Sequence, residues 1–478
     1  LEIHSFEHII SQIRNDSLFE KVSELSVGLN TPAYIVGGYV RDLLLNRHSK
    51  DIDIVVLGDG VKFAEELKNR LHGNCKLSVF KNFGTANLKS GKFEVEIVGA
   101  RKESYSRESR KPLVEEGTLF EDISRRDFTI NSLALSLNPE NFGSVIDYYH
   151  GIKHIQEKII VTPLEPLLTF SDDPLRMLRA VRFATVLDFA LSDEVTESIK
   201  VNTGRLSIIS SERISEEINK IILSNKPSTG FKLLEQTGLL KLILPELLDL
   251  KGIETVDKKS HKDNFYHTLE VLDNISAFTD NLWLRWTAIL HDIGKARTKQ
   301  YFADQGWTFH GHEVVGGRMV YDIFKRLKLP LGEQMKYVKK LVNLHLRPVA
   351  LTSEEVSDSA IRRLIVDAGN EIEDLMILCK ADITSKNHER VKTFQKRFDF
   401  VKAKIAEVEE KDKLRNWKNP ITGEIIMEVF GLKPSREIGL IKDAVKEAIM
   451  DGKIHNDYDE AYQYMLKLAG QFGLKPIS

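Results

Sequence analysis

Two aspartates separated by one residue, Asp51 and Asp53, lie in the apolar run DIDIVV. Side chains alternate along a strand, so both carboxylates share one face while Ile52 and Ile54 take the other. Paired carboxylates repel unless a cation lies between them. Hard oxygen ligands of this kind suit magnesium, which bridges readily to a phosphate. Upstream, Gly37 and Gly38 open a helix that carries Arg41 in its first turn. Without side chains, the glycines let a phosphate chain approach the backbone and the helix N-terminus, with Arg41 in reach. A metal-dependent transfer to or from a nucleoside triphosphate is the chemistry these parts describe.

Further along, Asp173, Arg176, Arg179 and Arg182 recur every third residue in DDPLRMLRAVRFA. On a helix they drift slowly around one side, as an ion-pair ladder or as a reading edge. Cytosine and adenine each present an amino donor beside a ring-nitrogen acceptor. An aspartate accepts from the first and an arginine donates to the second, whereas uracil and guanine present the opposite polarity. A second set of groups lies far downstream: His267 in NFYHTLEVL, His291 and Asp292 in HDIGK, and Asp382 in KADITSKN. His310, His312 and His345 lie between them. Imidazoles and carboxylates gathered from several helices make a metal sphere.

The elements that position these groups follow a simple order. Strand-like runs (YIV, DIDIVV, CKLSVF, TANLKS, FEVEIVGA) fill the first third, and helical periodicity dominates after about Val161. The reading is α+β: a head with a small mixed sheet and helices, followed by all-α parts. Soft boundaries divide the 478 residues into 1–161, 162–256, 257–410 and 411–478. The segment from Lys102 to Lys111, rich in Ser, Arg, Lys and Glu, reads as a mobile charged loop. A net charge of −2 gives no global basic signal, so nucleic-acid contact must use local surfaces. Cys75 and Cys379 suggest no disulfide framework, and no apolar run approaches a membrane span. A cytoplasmic protein without membrane contact or obligatory protein partner is expected.

GGYVRD followed by DID, then SRRDFTIN, then DDPLR, resembles the bacterial class II tRNA nucleotidyltransferase and poly(A) polymerase family. The resemblance runs from about Tyr34 to Leu247, the last part as a helical neck. It implies that Asp51 and Asp53 hold two magnesium ions and that Glu96, five residues before Arg101, is the third carboxylate. Glu94 shares that face and stays open for the role. It implies Arg126 on the triphosphate, Asp127 orienting the arginines, a buried ion pair as the rival role of Arg125, Asp173 and Arg176 choosing the base, and Arg179 with Arg126 on sugar and phosphates. Asp172 stands where the family usually has Glu. In such enzymes a flexible loop after the third carboxylate helps exchange CTP for ATP, which points to addition of both.

The His267, His291, Asp292 and Asp382 set resembles the HD superfamily of metal-dependent phosphohydrolases, which implies a divalent transition metal and a second, phosphohydrolase activity. His312 and His345 are accessory candidates, for phosphate or a second metal. The segment from Asn419 resembles the family's closing part, with Lys433 as a candidate RNA contact. The implied activity is CCA addition to tRNA from CTP and ATP. The alternatives are a poly(A) polymerase, a partial CC- or A-adding enzyme, and an HD phosphohydrolase with a vestigial head.

Overall fold

The computed structural model describes the chain apart from residues 72–74, 81–83, 92, 107–108, 258, 352–356, 385–386, 413–416 and 478. The last expected boundary, after residue 410, thus adjoins a stretch outside the described residues. The chain forms two compact units, Leu1–Ile243 and Leu244–Ser478.

The first unit is built on an eight-stranded sheet. Its strands are β1 (Glu2–Ser5), β2 (Ala33–Val36), β3 (Asp51–Val56), β4 (Lys76–Phe80), β5 (Thr85–Lys89), β6 (Glu94–Gly99), β9 (Leu133–Ser136) and β10 (Ser144–Asp147), with β7 (Arg101–Ser106) and β8 (Ser109–Glu116) forming a separate hairpin. The spatial order is β1-β10-β9-β2-β3-β6-β5-β4. All neighbours run antiparallel except β3 and β6, whose parallel register sets Asp51 beside Glu94 and Asp53 beside Glu96. Parallel pairing needs a crossover, supplied here by helix Gly60–Arg70 and the β4–β5 hairpin. That helix buries Phe63, Ala64 and Leu67, and Ile52 and Ile54 are buried on the strand face opposite the aspartates. The sheet thereby has one apolar face and one edge of carboxylates.

Three strands, β1, β9 and β10, were not legible in the sequence. They are four residues each, and FTINSLALSL carries helical as much as strand periodicity. The charged segment expected as a loop is instead mostly ladder: β7 pairs with β8, Arg101 opposite Glu116 and Lys102 opposite Glu115. Opposite charges facing across strands favour pairing, which composition alone conceals. Residues 107–108 of that segment lie outside the described residues.

Beyond the sheet the first unit is helical. Helix Leu175–Leu187 packs against Ser211–Ile222 and Pro227–Gln236. The Asp173 expectation needs correction, because the preceding helix ends at Asp172 and Asp173 is extended (φ −132°, ψ 96°). The following Pro174 clashes with an α conformation at residue 173, so the helix cannot run through it. Ile159–Ile160 also pairs with Ala190–Leu191.

The second unit is a helical body around His267, His291, Asp292, His312 and His345, all buried. Two short hairpins, Thr255–Val256 with Lys259–Ser260 and Gln300–Phe302 with Gly306–Thr308, interrupt the all-α expectation. Helices Gly423–Phe430, Arg436–Met450 and Tyr458–Gln471 close the chain around their own apolar cluster. Lys433 is exposed between the first two. Among the described residues no helix is long and apolar enough to cross a membrane.

Candidate active sites

The first candidate site is a cleft of about 280 Å³ lined by Gly37, Gly38, Arg41, Asp42, Ser49, Asp51, Asp53, Arg126, Asp127, Asn131, Arg179, Arg182 and Phe183, among others. Gly37 ends β2 at φ +76°, and a Cβ there would lie 3.0 Å from Arg126 Nη1 and 3.3 Å from Asp53 Oδ2. Only glycine lets the backbone turn into helix Gly38–Leu44 while these two side chains converge above it.

Burial raises the Asp53 carboxyl pKa; Arg126 opposes that shift, and Asp51 and Asp122 add to it. Burial and then Asp53 raise Glu96, which Arg101 only partly offsets. Glu94, by contrast, accepts from Lys89 Nζ at 2.8 Å and Asn87 at 3.2 Å, which hold its pKa down. The two glutamates share a face, but the one beside Asp53 has the uncompensated charge. Carboxylates that destabilise one another in this way have the donor chemistry of a divalent-cation site.

The arginines are arranged by buried acids. Asp122, with no exposed side-chain surface, accepts from Arg125 Nη2 at 2.6 Å and Arg126 Nη2 at 3.0 Å. The ion-pair role thus describes what Arg125 touches. Arg126 Nε is buried without a hydrogen-bond partner, and the residue lines the cleft. Asp127 Oδ2 accepts from Arg179 Nε at 2.8 Å and Nη2 at 2.6 Å, and its Oδ1 accepts from Asn131 at 3.0 Å. Burial would raise the Asp127 pKa, but Arg179, Asn131 and Arg176 outweigh it and lower it to about 2. Arg41 is buried; it donates to Asn131 at 2.7 Å and to Asp42 at 2.8 Å while lining the cleft.

Arg182 bonds Glu217 at 2.5 Å and stacks 4.0 Å over Phe183. Arg176 Nη2 donates to the Arg125 carbonyl at 2.6 Å. Asp173 Oδ1 accepts from the Leu175 amide at 3.2 Å, and Arg213 lies 4.0 Å from its Oδ2. Asp173 and Arg176 are not among the lining residues of the cleft. Asp122 and Asn131 escaped sequence reasoning. The signal for Asp122 was present, since its spacing to Arg125 and Arg126 is that of helical ion pairs.

The second candidate site gathers its groups from five helices or their ends. His267 Nε2 lies 2.8 Å from Asp382 Oδ1 and 3.6 Å from Asp292 Oδ2; His291 Nε2 lies 3.3 Å from Asp292 Oδ2 and 3.6 Å from Asp382 Oδ1. On its other oxygen, Asp292 faces His312 Nε2 at 3.2 Å and His345 Nε2 at 3.8 Å. Asp292 therefore belongs to two ligand sets, one with His267 and His291 and one with His312 and His345. Gly294 permits the approach, because a Cβ there would lie 2.2 Å from the His312 carbonyl oxygen. His310 is exposed outside the cluster.

The hydrogen bonds decide which ring nitrogens face inward. Nδ1 of His291, His312 and His345 lies 2.7–2.8 Å from the carbonyls of Ala288, Phe309 and Val342. A carbonyl only accepts, so each Nδ1 carries a hydrogen and Nε2 is the nitrogen left to meet a ligand. The His312 and His345 lone pairs approach to 3.3 Å, and His291 Nε2 and Asp382 Oδ1 are buried without hydrogen-bond partners. Such a convergence of acceptors fits one or two divalent transition metals. Without metal, burial works against a charged His291, yet Asp292 and Asp382 outweigh it and hold its pKa up to about 10. His345 is pushed down to about 4 by burial and by His291.

Three family models match: the poly A polymerase head domain over residues 33–161, the probable RNA and SrmB-binding site of polymerase A over 188–250, and the HD domain over 264–387. An A-adding tRNA nucleotidyltransferase of Aquifex aeolicus is 33% identical over 373 residues, 72% of this chain and 44% of that protein. A CC-adding tRNA nucleotidyltransferase of Thermus thermophilus is 30% identical over 452 residues, 92% of this chain and 94% of that protein. The chain belongs to the tRNA nucleotidyltransferase and poly(A) polymerase family. Membership accounts for the α+β head, the helical remainder and the HD domain occurring together in one chain. The chain spans less than half the length of the A-adding relative. The fold is that of the Thermotoga maritima CCA-adding enzyme solved with tRNA (TM-score 0.62, 23% identity, 98% of this chain and 100% of that one).

Proposed function

We propose that this family member extends the 3′ end of tRNA with CMP and AMP from CTP and ATP, without a nucleic-acid template, in the cytoplasm. Carrying that reading is the placement of Asp53 beside Glu96, with Asp51 one pleat away and Arg126 held across Gly37. Two magnesium ions held by Asp51, Asp53 and Glu96 would acidify the terminal ribose hydroxyl and screen the triphosphate. Arg126, which lines the cleft, takes phosphate oxygens, and Arg179, fixed by Asp127, takes phosphate or sugar. Asp173 accepts from the base amino group and Arg176 donates to the ring nitrogen beside it. The attacking hydroxyl displaces pyrophosphate in line, with geometry and charge supplying most of the acceleration. In this reading residues 1–161 are the catalytic head, 162–256 the base-selecting neck, 257–410 the HD domain and 411–478 a tail whose Lys433 meets RNA phosphate.

The names of the relatives favour a second reading, in which the chain adds only the terminal A, or only CC. Transcripts ending before CCA, after C and after CC, incubated with magnesium and each nucleotide alone or mixed, separate these. Growth by C, C and A followed by a stop supports full addition; extension only of the CC-ending transcript by A supports the A-adding reading. A long A tail on generic RNA makes it a poly(A) polymerase, and no extension refutes the transferase reading.

For the HD centre we propose hydrolysis of a phosphoester. A metal held by His267, His291, Asp292 and Asp382, with a second at Asp292, His312 and His345, would polarise the ester and supply bound water. Retention of hydrolysis in Asp51→Ala/Asp53→Ala protein, and its loss in His291→Ala, would separate the two centres.

A further inference from the structure

Strand β1 ends the eight-stranded sheet, and one of its charges works against its pairing. Glu2 lies directly opposite Asp147 across the β1–β10 ladder. Like charges at directly opposed positions destabilise an antiparallel pair, and β1 has only four residues to offset that cost. Among the described residues neither carboxylate has a lysine or arginine ion pair. Asp147 cannot turn away, because it is 1% exposed and held by three backbone amides. Its Oδ1 accepts from Tyr149 at 3.1 Å and Gly151 at 2.9 Å, and its Oδ2 accepts from Ile152 at 2.9 Å. A carboxylate offers about four lone-pair sites, so one is left, on Oδ2.

Two imidazoles complete the surroundings. His4, two residues along β1, shares the face of Glu2, and its Nε2 lies 3.1 Å from Glu2 Oε2. His150 Nδ1 lies 3.1 Å from the other oxygen, Oε1. Phe6 stacks on the His4 ring, centroids 6.3 Å apart at 22°. His150 stands at φ +57°, which glycine would adopt without strain. One donor atom each from Glu2, His4 and Asp147 lies within 4.8 Å of the other two. The 3.1 Å contacts are hydrogen-bond lengths, and they are also close to the edge of about 3.3 Å in a tetrahedral zinc sphere with bonds of about 2.0 Å. Hydrogen bonds leave the facing carboxylates unexplained, whereas a dication between them joins the pair.

We infer that Glu2, His4, Asp147 and His150 form a site for a divalent transition metal, zinc by its donor set, that clips β1 to β10. Two imidazole nitrogens and two carboxylates are donors that zinc accepts. None of the four residues lines the cleft of the first candidate site. With four side chains as ligands the sphere is closed, so the ion fastens the sheet edge and catalyses nothing.

The test is hydrogen exchange of the full-length chain with and without zinc, read in peptides covering residues 2–5 and 144–151. Bound zinc is counted in parallel by equilibrium dialysis. Zinc at about ten times its dissociation constant should slow exchange of β1 about tenfold, because opening the strand must first release the ion. Glu2→Gln, which keeps the shape of the side chain, and His4→Ala/His150→Ala should each lose that protection and bind one zinc fewer. Peptides from the second unit should respond to zinc as they do in the unmodified chain, and nucleotide addition should be unchanged. Absence of zinc protection at β1 in the unmodified chain overturns the site and leaves Glu2 a hydrogen-bonded surface carboxylate. Protection or zinc content that persists in the variants overturns it too, since the ion then lies elsewhere.

Discussion

Replacing Asp127 with Asn keeps the shape of a buried group and removes only its charge. The carboxylate is 7% exposed and lies between Arg179, Asn131 and the Phe128 amide. Its pKa falls from the ordinary 3.8 to about 2, so at ~1.4 kcal/mol per pH unit the ionised form contributes about 2 kcal/mol to the first unit. A lowered pKa means the contribution is complete above pH 3.8 and fades as the pH falls towards 2. The four tryptophans, Trp283, Trp286, Trp307 and Trp417, all lie in the second unit and do not report on this one. Hydrogen exchange of peptides covering residues 127–136 does. Asp127→Asn should exchange about thirtyfold faster at pH 7, and the ratio should fall below about tenfold near pH 3. A ratio near one at pH 7 would mean that desolvation cancels the ion pair. A pH-independent ratio would mean that packing, not charge, is at stake; either result refutes the reasoning.

Asp51→Ala/Asp53→Ala should lower nucleotide addition by about a thousandfold or more while manganese still binds the second unit, checked by primer extension and calorimetry on one preparation. Gly37→Ala should cost about 1–2 kcal/mol for a side chain at positive φ and raise the KM for nucleotide, because the new methyl group crowds Arg126 Nη1. Because His291 is held protonated up to about 10, metal binding at neutral pH should release about one proton and strengthen as the pH rises, seen by calorimetry in buffers of different ionisation enthalpy. Chelation should lower the melting temperature read by tryptophan fluorescence, and readdition of manganese should restore it.

Much of the head was legible because strand periodicity and glycine chemistry are local. DIDIVV announces its own faces, and Gly37 its own turn. What failed also failed for local reasons: Pro174 overrides the helical spacing of Asp173, and facing charges turn a loop-like composition into the β7–β8 hairpin. The histidine–aspartate set was nameable from the sequence, but its geometry was not. That Asp292 faces two ligand sets on its two oxygens is a matter of packing between helices.

The parallel pairing of β3 and β6 also governs how errors in assembly are sorted. A slip by one residue would turn Val95 and Ile97 to the carboxylate face and fail at once in the core. A slip by two would preserve the buried pattern and bring Glu94 instead of Glu96 beside Asp53, a mistake that hydrophobicity cannot detect. Lys89 and Asn87 hold Glu94 from β5, which pairs with the other side of β6, so both contacts would travel with the slipped strand and do nothing to oppose it. Glu94 would then arrive beside Asp53 with its charge already met by an exposed lysine, giving a well-folded molecule whose carboxylate cluster is one free ligand short.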